Sequence, residues 1–363
     1  MRALIPPLNR VWARRLSPVV LGIVIGCAED GPIESQPPTE DPPPPSFDIP
    51  GTWSRGPSLP EPLLAAGAAR LGDEAWVIGG IADDQTTSDR TYRLDLRSGS
   101  WSKGPDLPRR LNHVGVARLG DSIFVAGGAR TTVPTVDEGA TYSPAATLWH
   151  IDATASEWSA REPLPEPRAA GGLAAVDGAL YLVGGYSSGL LSPDDWFRWD
   201  EILAPATLRW TPDQQWEVLP DVPTLRDHLV VVERDDRLHA IAGRRLMIFE
   251  TTGRHGVFDP ATNTWQEEAA GLPAGRGGAA AVNLDGSLHV MGGEPMSRGR
   301  RHDVYDAAQN RWLTAPPLPE PVHGASAVVY DGKIYVFGGA NVESWTEISR
   351  TTWVFTPDGA GGG

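Results

Sequence analysis

The chain has 363 residues, with 31 basic against 46 acidic side chains for a formal charge of −15, and it contains 41 Gly, 34 Pro and 14 Trp among 40% hydrophobic residues. This acidic balance argues against nonspecific binding to nucleic acid or to an anionic membrane, while the wealth of turn formers and aromatics points to many short strands rather than long helices or disorder. A single cysteine, Cys27, rules out an intramolecular disulfide, so packing and closure alone must hold the fold.

At the start of the chain, Arg2, Arg10, Arg14 and Arg15 precede an apolar run from Val19 to Ile25, the order of a secretory signal. The run is too short to cross a membrane as a mature helix. It ends in Val24-Ile25-Gly26-Cys27, which resembles the lipobox of bacterial lipoproteins. That resemblance implies removal of residues 1–26, lipidation of Cys27 and, with Ala28 in the next place, delivery to the outer membrane or cell surface. The alternative is an ordinary signal peptide with a chance cysteine. Cleavage removes four Arg and no acid, taking the charge from −15 to −19. Residues 27–50, with Gln36-Pro37-Pro38 and Asp41-Pro42-Pro43-Pro44-Pro45, are Pro-rich and acidic and have little apolar surface to bury. They are expected to form an extended spacer.

From residue 51 to 357 two features recur in phase, with a period of roughly fifty residues that signals a propeller. One is a tryptophan followed by Leu-Pro: Trp53…Leu59-Pro60, Trp101…Leu107-Pro108, Trp158…Leu164-Pro165, Trp216…Leu219-Pro220, Trp265…Leu272-Pro273 and Trp312…Leu318-Pro319. The other is an apolar strand ending in Gly79-Gly80, Gly127-Gly128, Gly184-Gly185, Gly292-Gly293 or Gly338-Gly339, with Gly243-Arg244 as a sixth copy that has lost its second glycine. Asp177-Gly178, Asp285-Gly286 and Asp331-Gly332 offer the positive φ angles of tight hairpins. The combination resembles the kelch repeat, and Tyr305-Asp306 ahead of Trp312 repeats that family's aromatic, turn and tryptophan spacing. The resemblance implies an all-β, six-bladed β-propeller. Because the domain begins on an outer-strand tryptophan, the N-terminal strand is expected to complete the last blade. Residues 358–363 form a Gly-rich tail.

The places that open each inner strand hold Leu63, Leu111, Arg168, Arg226, Arg276 and Val322. By resemblance to kelch adaptors that capture acidic peptides, Arg168, Arg226 and Arg276 face the channel entrance, where three guanidinium groups can clamp a carboxylate or phosphate. The alternative is that each pairs with a neighbouring Asp or loop carbonyl. Asn112, His113, Asp227, His228 and His323 are expected as rim partners. The three histidines are expected on blades far apart, and no metal-ligand spacing is present, so neither metal nor cofactor is expected. Insertions at 130–147 and 186–208 widen two blades. The second carries Trp196-Phe197-Arg198-Trp199, a platform for a sugar or protein partner or else a self-contained aromatic cluster.

Kelch propellers serve binding and catalysis alike. A copper oxidase of this type needs a cysteine inside the propeller, which Cys27 cannot supply. The expectation is therefore a monomeric, lipid-anchored binding module that takes an anionic protein or carbohydrate ligand and no nucleic acid. The alternative is a sialate-epimerase-like enzyme, in which the three arginines hold a carboxylate while Asp227, His228 or Glu320 moves protons.

Overall fold

The computed structural model describes residues 47–131, 142–188, 202–246, 250–266, 269–341 and 347–359. Cys27, the signal segment, the spacer up to residue 46, and Trp196 and Trp199 lie outside these residues.

Six four-stranded antiparallel sheets form the blades of a β-propeller. In the first blade the strands run outward as Gly67–Leu71, Glu74–Ile78, Thr91–Asp95 and Ser100–Lys103. The inner strand alternates buried and half-buried residues, and the second is buried over nearly its whole length. The second strand of the third blade, Ala179–Val183, is buried throughout. The cause is packing on both faces: each sheet is sandwiched between two neighbouring sheets, so its middle reads as a continuous apolar run. The outer strands face water, and Ser100–Lys103 has one half-buried residue, Trp101. Inner hairpins turn on paired positive-φ residues, such as Asp177 at 47° with Gly178 at 75°.

The last blade is built from Ser326–Tyr330, Lys333–Phe337, Thr352–Pro357 and, outermost, Gly51–Arg55 from the other end of the domain. Trp53 lies opposite Phe355 in this pairing, with ring centroids 5.2 Å apart.

Three sets of hydrogen bonds tie each blade to the next. At the innermost loops, the backbone N–H groups of Ala65, His113, Ala170, His228, Gly278 and Gly324 each donate to the carbonyl of the corresponding residue one blade back, at 2.7–3.0 Å. All six residues have φ between 51° and 62°. Further out, the N–H of each second glycine donates to the next blade, as Gly128 does to Arg168 at 2.8 Å. Glycine is required here by close approach: a Cβ on the preceding Gly127 would lie 2.1 Å from the Arg168 carbonyl oxygen. At the rim, each repeat tryptophan donates its indole N–H to the blade before it, as from Trp158 to Pro105 at 2.9 Å and from Trp53 to Pro316 at 2.8 Å.

One element differs from the expectation. The fourth blade keeps its second glycine, Gly243, and replaces the first with Ala242, which accepts a φ of 62°. Its glycine pair is thus read one residue too late in the sequence, and Arg244 belongs to the loop beyond it.

Two buried histidine pairs lie inside neighbouring blades: His239 Nδ1 is 2.8 Å from His255 Nε2, and His289 Nδ1 is 2.8 Å from His302 Nε2. Burial drives their pKa values down from about 6.5, to about 4 for His239, about 3 for His255 and about 4 for His289. The folded state therefore binds fewer protons than the unfolded chain between pH 6.5 and 4. Stability present above 6.5 is lost as pH falls through that window, by up to about 1.4 kcal/mol per pH unit per histidine. Carboxylates are ionised in both states down to about pH 5, so the urea midpoint should drop between pH 7.5 and 5 and the drop should shrink in His239→Gln. A midpoint with the same pH dependence in both proteins contradicts this account.

Trp53 packs on the cluster that contains Phe355, Trp353 and Val304. Trp53→Ala should lose about 3 kcal/mol in chemical denaturation, whereas Trp53→Phe, which keeps most of the packing, should lose about 1 kcal/mol. Equal stability of all three proteins is the result that would count against a closing strand.

Candidate functional site at the channel mouth

The ring of left-handed residues encircles one end of the channel and leaves a pocket of about 130 Å³. All six blades contribute to its lining. Ala65, Ala170, Gly278 and Gly324 are small and open the centre, while His113 and His228, at the equivalent places of the second and fourth blades, extend into it. Their rings meet across the third blade, with centroids 4.8 Å apart. Histidines expected far apart are neighbours because only Ala170 lies between them in the ring.

One wall is polar and crosses from the fourth blade to the sixth. Arg244 is its hub. Its Nε donates to Asp227 Oδ1 at 3.1 Å, its Nη1 to Glu294 Oε2 at 2.9 Å, and its Nη2 lies 2.8 Å from His228 Nε2. His228 Nδ1 is also 2.8 Å from Asp227 Oδ1 and 2.7 Å from Arg244 Nη2. Glu294 Oε1 stands 3.3 Å from His323 Nδ1. On the other side, His113 Nδ1 is 2.7 Å from Asn112 Oδ1, and Asn112 Nδ2 donates to Thr87 Oγ1 at 2.9 Å. Leu64, Ile81 and Val114 form the apolar wall.

The electrostatics follow from this wiring. Burial raises the pKa of Asp227, and the charge of Arg244 and then of His228 more than reverses it, holding the carboxyl at about 2. Glu294 is also lowered, because Arg244 and His323 outweigh its burial. His113 is pushed well below the usual histidine value by burial, with His228 and Arg244 adding to the effect. The mouth therefore holds two carboxylates around one guanidinium, together with an imidazole kept neutral, His113.

The three arginines assigned to the entrance are elsewhere. Arg168, Arg226 and Arg276 are each at most 1% exposed and lie inside their own blades. Arg168 Nη1 donates to the carbonyls of Gly184 and Ala206 at 3.0 and 3.1 Å, and its Nη2 pairs with Glu166. Arg226 donates to Thr224 and Ala240, both at 2.8 Å. Arg276 bonds Ala274 and Val290 and pairs with Asp303 at 2.7 Å. The same place in the other three blades is filled by the buried side chains of Leu63, Leu111 and Val322, so it is a core position. An arginine there uses its stem as packing and its donors on strand carbonyls. Glu320 pairs with Arg55 at an exposed site and does not line the pocket.

Asn112, His113, Asp227, His228 and His323 are brought together at the mouth. Arg244 and Glu294 complete the cluster and were not singled out from sequence. Their signal was available: the residues after the second glycine are Ile81, Ala129, Tyr186, Arg244, Glu294 and Ala340, an apolar column broken by opposite charges on adjacent blades. The misplaced glycine pair of the fourth blade hid it. Among the described residues no group of three His, Cys, Asp or Glu side chains is arranged to hold a metal ion.

Arg244→Met should destabilise the protein by about 3–5 kcal/mol, because Asp227 and Glu294 would remain buried without their shared cation. Adding Asp227→Asn should restore part of the loss. Additive losses in this double-mutant cycle would show that the two residues are not coupled.

Comparison with known proteins agrees with the architecture. Residues 65–293 match the family described as the KLHDC2/KLHL20/DRC7 Kelch-repeats domain, and residues 321–359 match the Kelch motif. The Kelch-like protein terF of Aspergillus terreus is 28% identical over 333 residues, covering 85% of this chain and 67% of that protein. Beta-scruin of Limulus polyphemus is 26% identical over 220 residues, covering 57% of this chain and 23% of its own length. Kelch-like protein 33 of Homo sapiens is 33% identical over 140 residues, 38% of this chain and 24% of that one. This chain thus spans about a quarter of the last two. A solved structure titled "Structure of YjhT" aligns with a TM-score of 0.69 at 15% identity, over 84% of this chain and 98% of that one, which shows a shared fold. With a matched family domain over more than half its length and the repeat geometry described above, the chain belongs to the kelch-repeat β-propeller family.

Proposed function

We propose that this protein is an exported, lipid-anchored kelch module that binds a partner protein on its loop face, with one polar side chain of the partner seated in the channel mouth. Kelch propellers are typically protein-interaction modules. The observation that carries the reading is the mouth itself: a pocket of about 130 Å³, assembled by all six blades, with hydrogen-bonding groups on one wall and aliphatic groups on the other. That volume suits a side chain or a very small molecule rather than an oligosaccharide. Arg244 is neutralised by Asp227 and Glu294, so the pocket favours a neutral polar or cationic group over an anion. The signal-like residues 2–26, Cys27 and the Pro-rich spacer supply the support for export and anchoring.

A second reading, a proton-transfer enzyme acting on a small polar substrate, is favoured by the His228–Asp227 pair at 2.8 Å beside a desolvated guanidinium. The binding reading is preferred because Arg244 ties Asp227 and Glu294 into one ion-pair network, which leaves no carboxylate set apart as a base.

A photo-crosslinking amino acid in place of Ala325, at the mouth, should capture a discrete partner protein in the native host, while the same residue in place of Val218, exposed on an outer edge strand, should not. Capture only from position 218, or capture of a sugar alone at 325, would count against the proposal. In the same cells Cys27→Ala should abolish incorporation of labelled palmitate, and unchanged labelling would remove the lipid anchor from it.

A further inference from the structure

We propose that the groove between the first and second blades, on the same loop face but outside the channel mouth, is a docking site for an acidic segment of a partner protein. The groove encloses about 550 Å³ and is lined by Arg109, Arg110 and Arg130 together with Leu111, Pro144 and Ala145. Three guanidinium groups around one groove stand out on a chain of charge −15.

Two of them also stand out by their lack of partners. Most arginines at the surface are already paired, as Arg97 is with Asp73 at 2.8 Å, Arg209 with Glu217 at 2.7 Å and Arg245 with Glu250 at 2.9 Å. Arg110 is held more loosely, paired with Asp89 at 3.7 Å. Among the described residues neither Arg109 nor Arg130 takes part in a hydrogen bond or an ion pair, and both are exposed.

The backbone beneath them is held firmly. Asn112 and Ala129 exchange two hydrogen bonds, Asn112 N–H to the Ala129 carbonyl at 2.9 Å and the reverse at 2.7 Å. These bonds join the loop that carries Arg109 and Arg110 to the strand that carries Arg130. Arg130 lies in a two-stranded ribbon, Ala129–Thr131 paired with Tyr142–Pro144, and Ser143 is its partner in register. Two guanidinium groups without internal partners, on segments clamped to each other, form a fork for carboxylates.

The wall between the arginines decides the class of occupant. Proline, leucine and alanine line it, and among the described residues no aromatic ring does. A sugar acid gains much of its affinity by stacking on aromatic faces, whereas a peptide can alternate acidic side chains toward the arginines with apolar ones toward Leu111 and Pro144. An acidic partner repelled by the net charge of −15 would be steered toward a groove where basic side chains gather.

The test is a fluorescence-anisotropy titration of the full chain with fluorescein-labelled hexaglutamate, at low ionic strength and again at about 0.15 M salt. Hexagalacturonate serves as the sugar-acid arm. Hexaglutamate should bind, more weakly at the higher salt, and Arg109→Ala with Arg130→Ala should weaken it about tenfold or more. Arg350→Ala, at an exposed arginine outside the groove, should leave it unchanged. No binding of hexaglutamate at low salt, or equal binding by the double variant, overturns the proposal. Tighter, arginine-dependent binding of hexagalacturonate overturns the choice of a peptide. Crosslinking at Ala325 reports on the channel mouth separately, so either proposal can fail without the other.

Discussion

Six backbone hydrogen bonds around the channel mouth hold the rest of the structure in place. Each runs from the N–H of one left-handed residue to the carbonyl of its counterpart in the blade before, and the last, from Ala65 to Gly324, returns the ring to its start at 2.8 Å. Left-handed backbone is costly for residues with a Cβ, on the order of 1 kcal/mol each, and four of the six are alanine or histidine. The ring can hold them there because each such conformation aims one donor and one acceptor along the circle. A side chain on a ring residue is then directed at the axis whatever its type. This is how His113 and His228 come to share a pocket although 115 positions of sequence separate them.

The same geometry divides a blade into regions with different chemistry. Two residues before each ring residue lies a core position, filled by leucine, valine or the stem of an arginine whose guanidinium bonds backbone carbonyls of its blade. Immediately after the glycine pair lies a position paired to the ring segment by a bridge, as Arg244 is to Asp227. An arginine at the first place is a strut, and at the second it is part of the mouth. The place in the repeat, not the residue type, thus divides structural from functional duty, and the buried hydrogen bonds of Arg168, Arg226 and Arg276 make the division visible.

Charge is distributed with similar economy. At the mouth the charge of Arg244 is more than offset by the two carboxylates beside it, and much of the outer surface balances its arginines with adjacent acids. The groove of Arg109, Arg110 and Arg130 departs from this pattern. A partner that places a polar side chain in the mouth and an acidic stretch in the groove would meet complementary chemistry at both, on rigid loops fixed by the Asn112–Ala129 bridge. Burial of the histidine pairs adds a separate property, a fold that loosens as pH falls below the histidine range.

The amino-acid sequence by itself determined the fold class, the number of repeats and the turn chemistry, because tryptophan, Leu-Pro, glycine pairs and Asp-Gly are demanded locally by strand ends and tight hairpins in every blade. It also marked five members of the mouth, Asn112, His113, Asp227, His228 and His323, through their place in the repeat. Only the tertiary structure decided which way the three arginines point, because burial between packed sheets, not the identity of the side chain, selects carbonyl partners over solvent. It alone set His113 against His228 and joined Arg244 to Glu294, since those contacts cross blades and depend on how closely the inner loops approach the axis. It also brought Arg130 beside Arg109 and Arg110, through the bridge of Asn112 to Ala129 that every blade repeats at the equivalent residues.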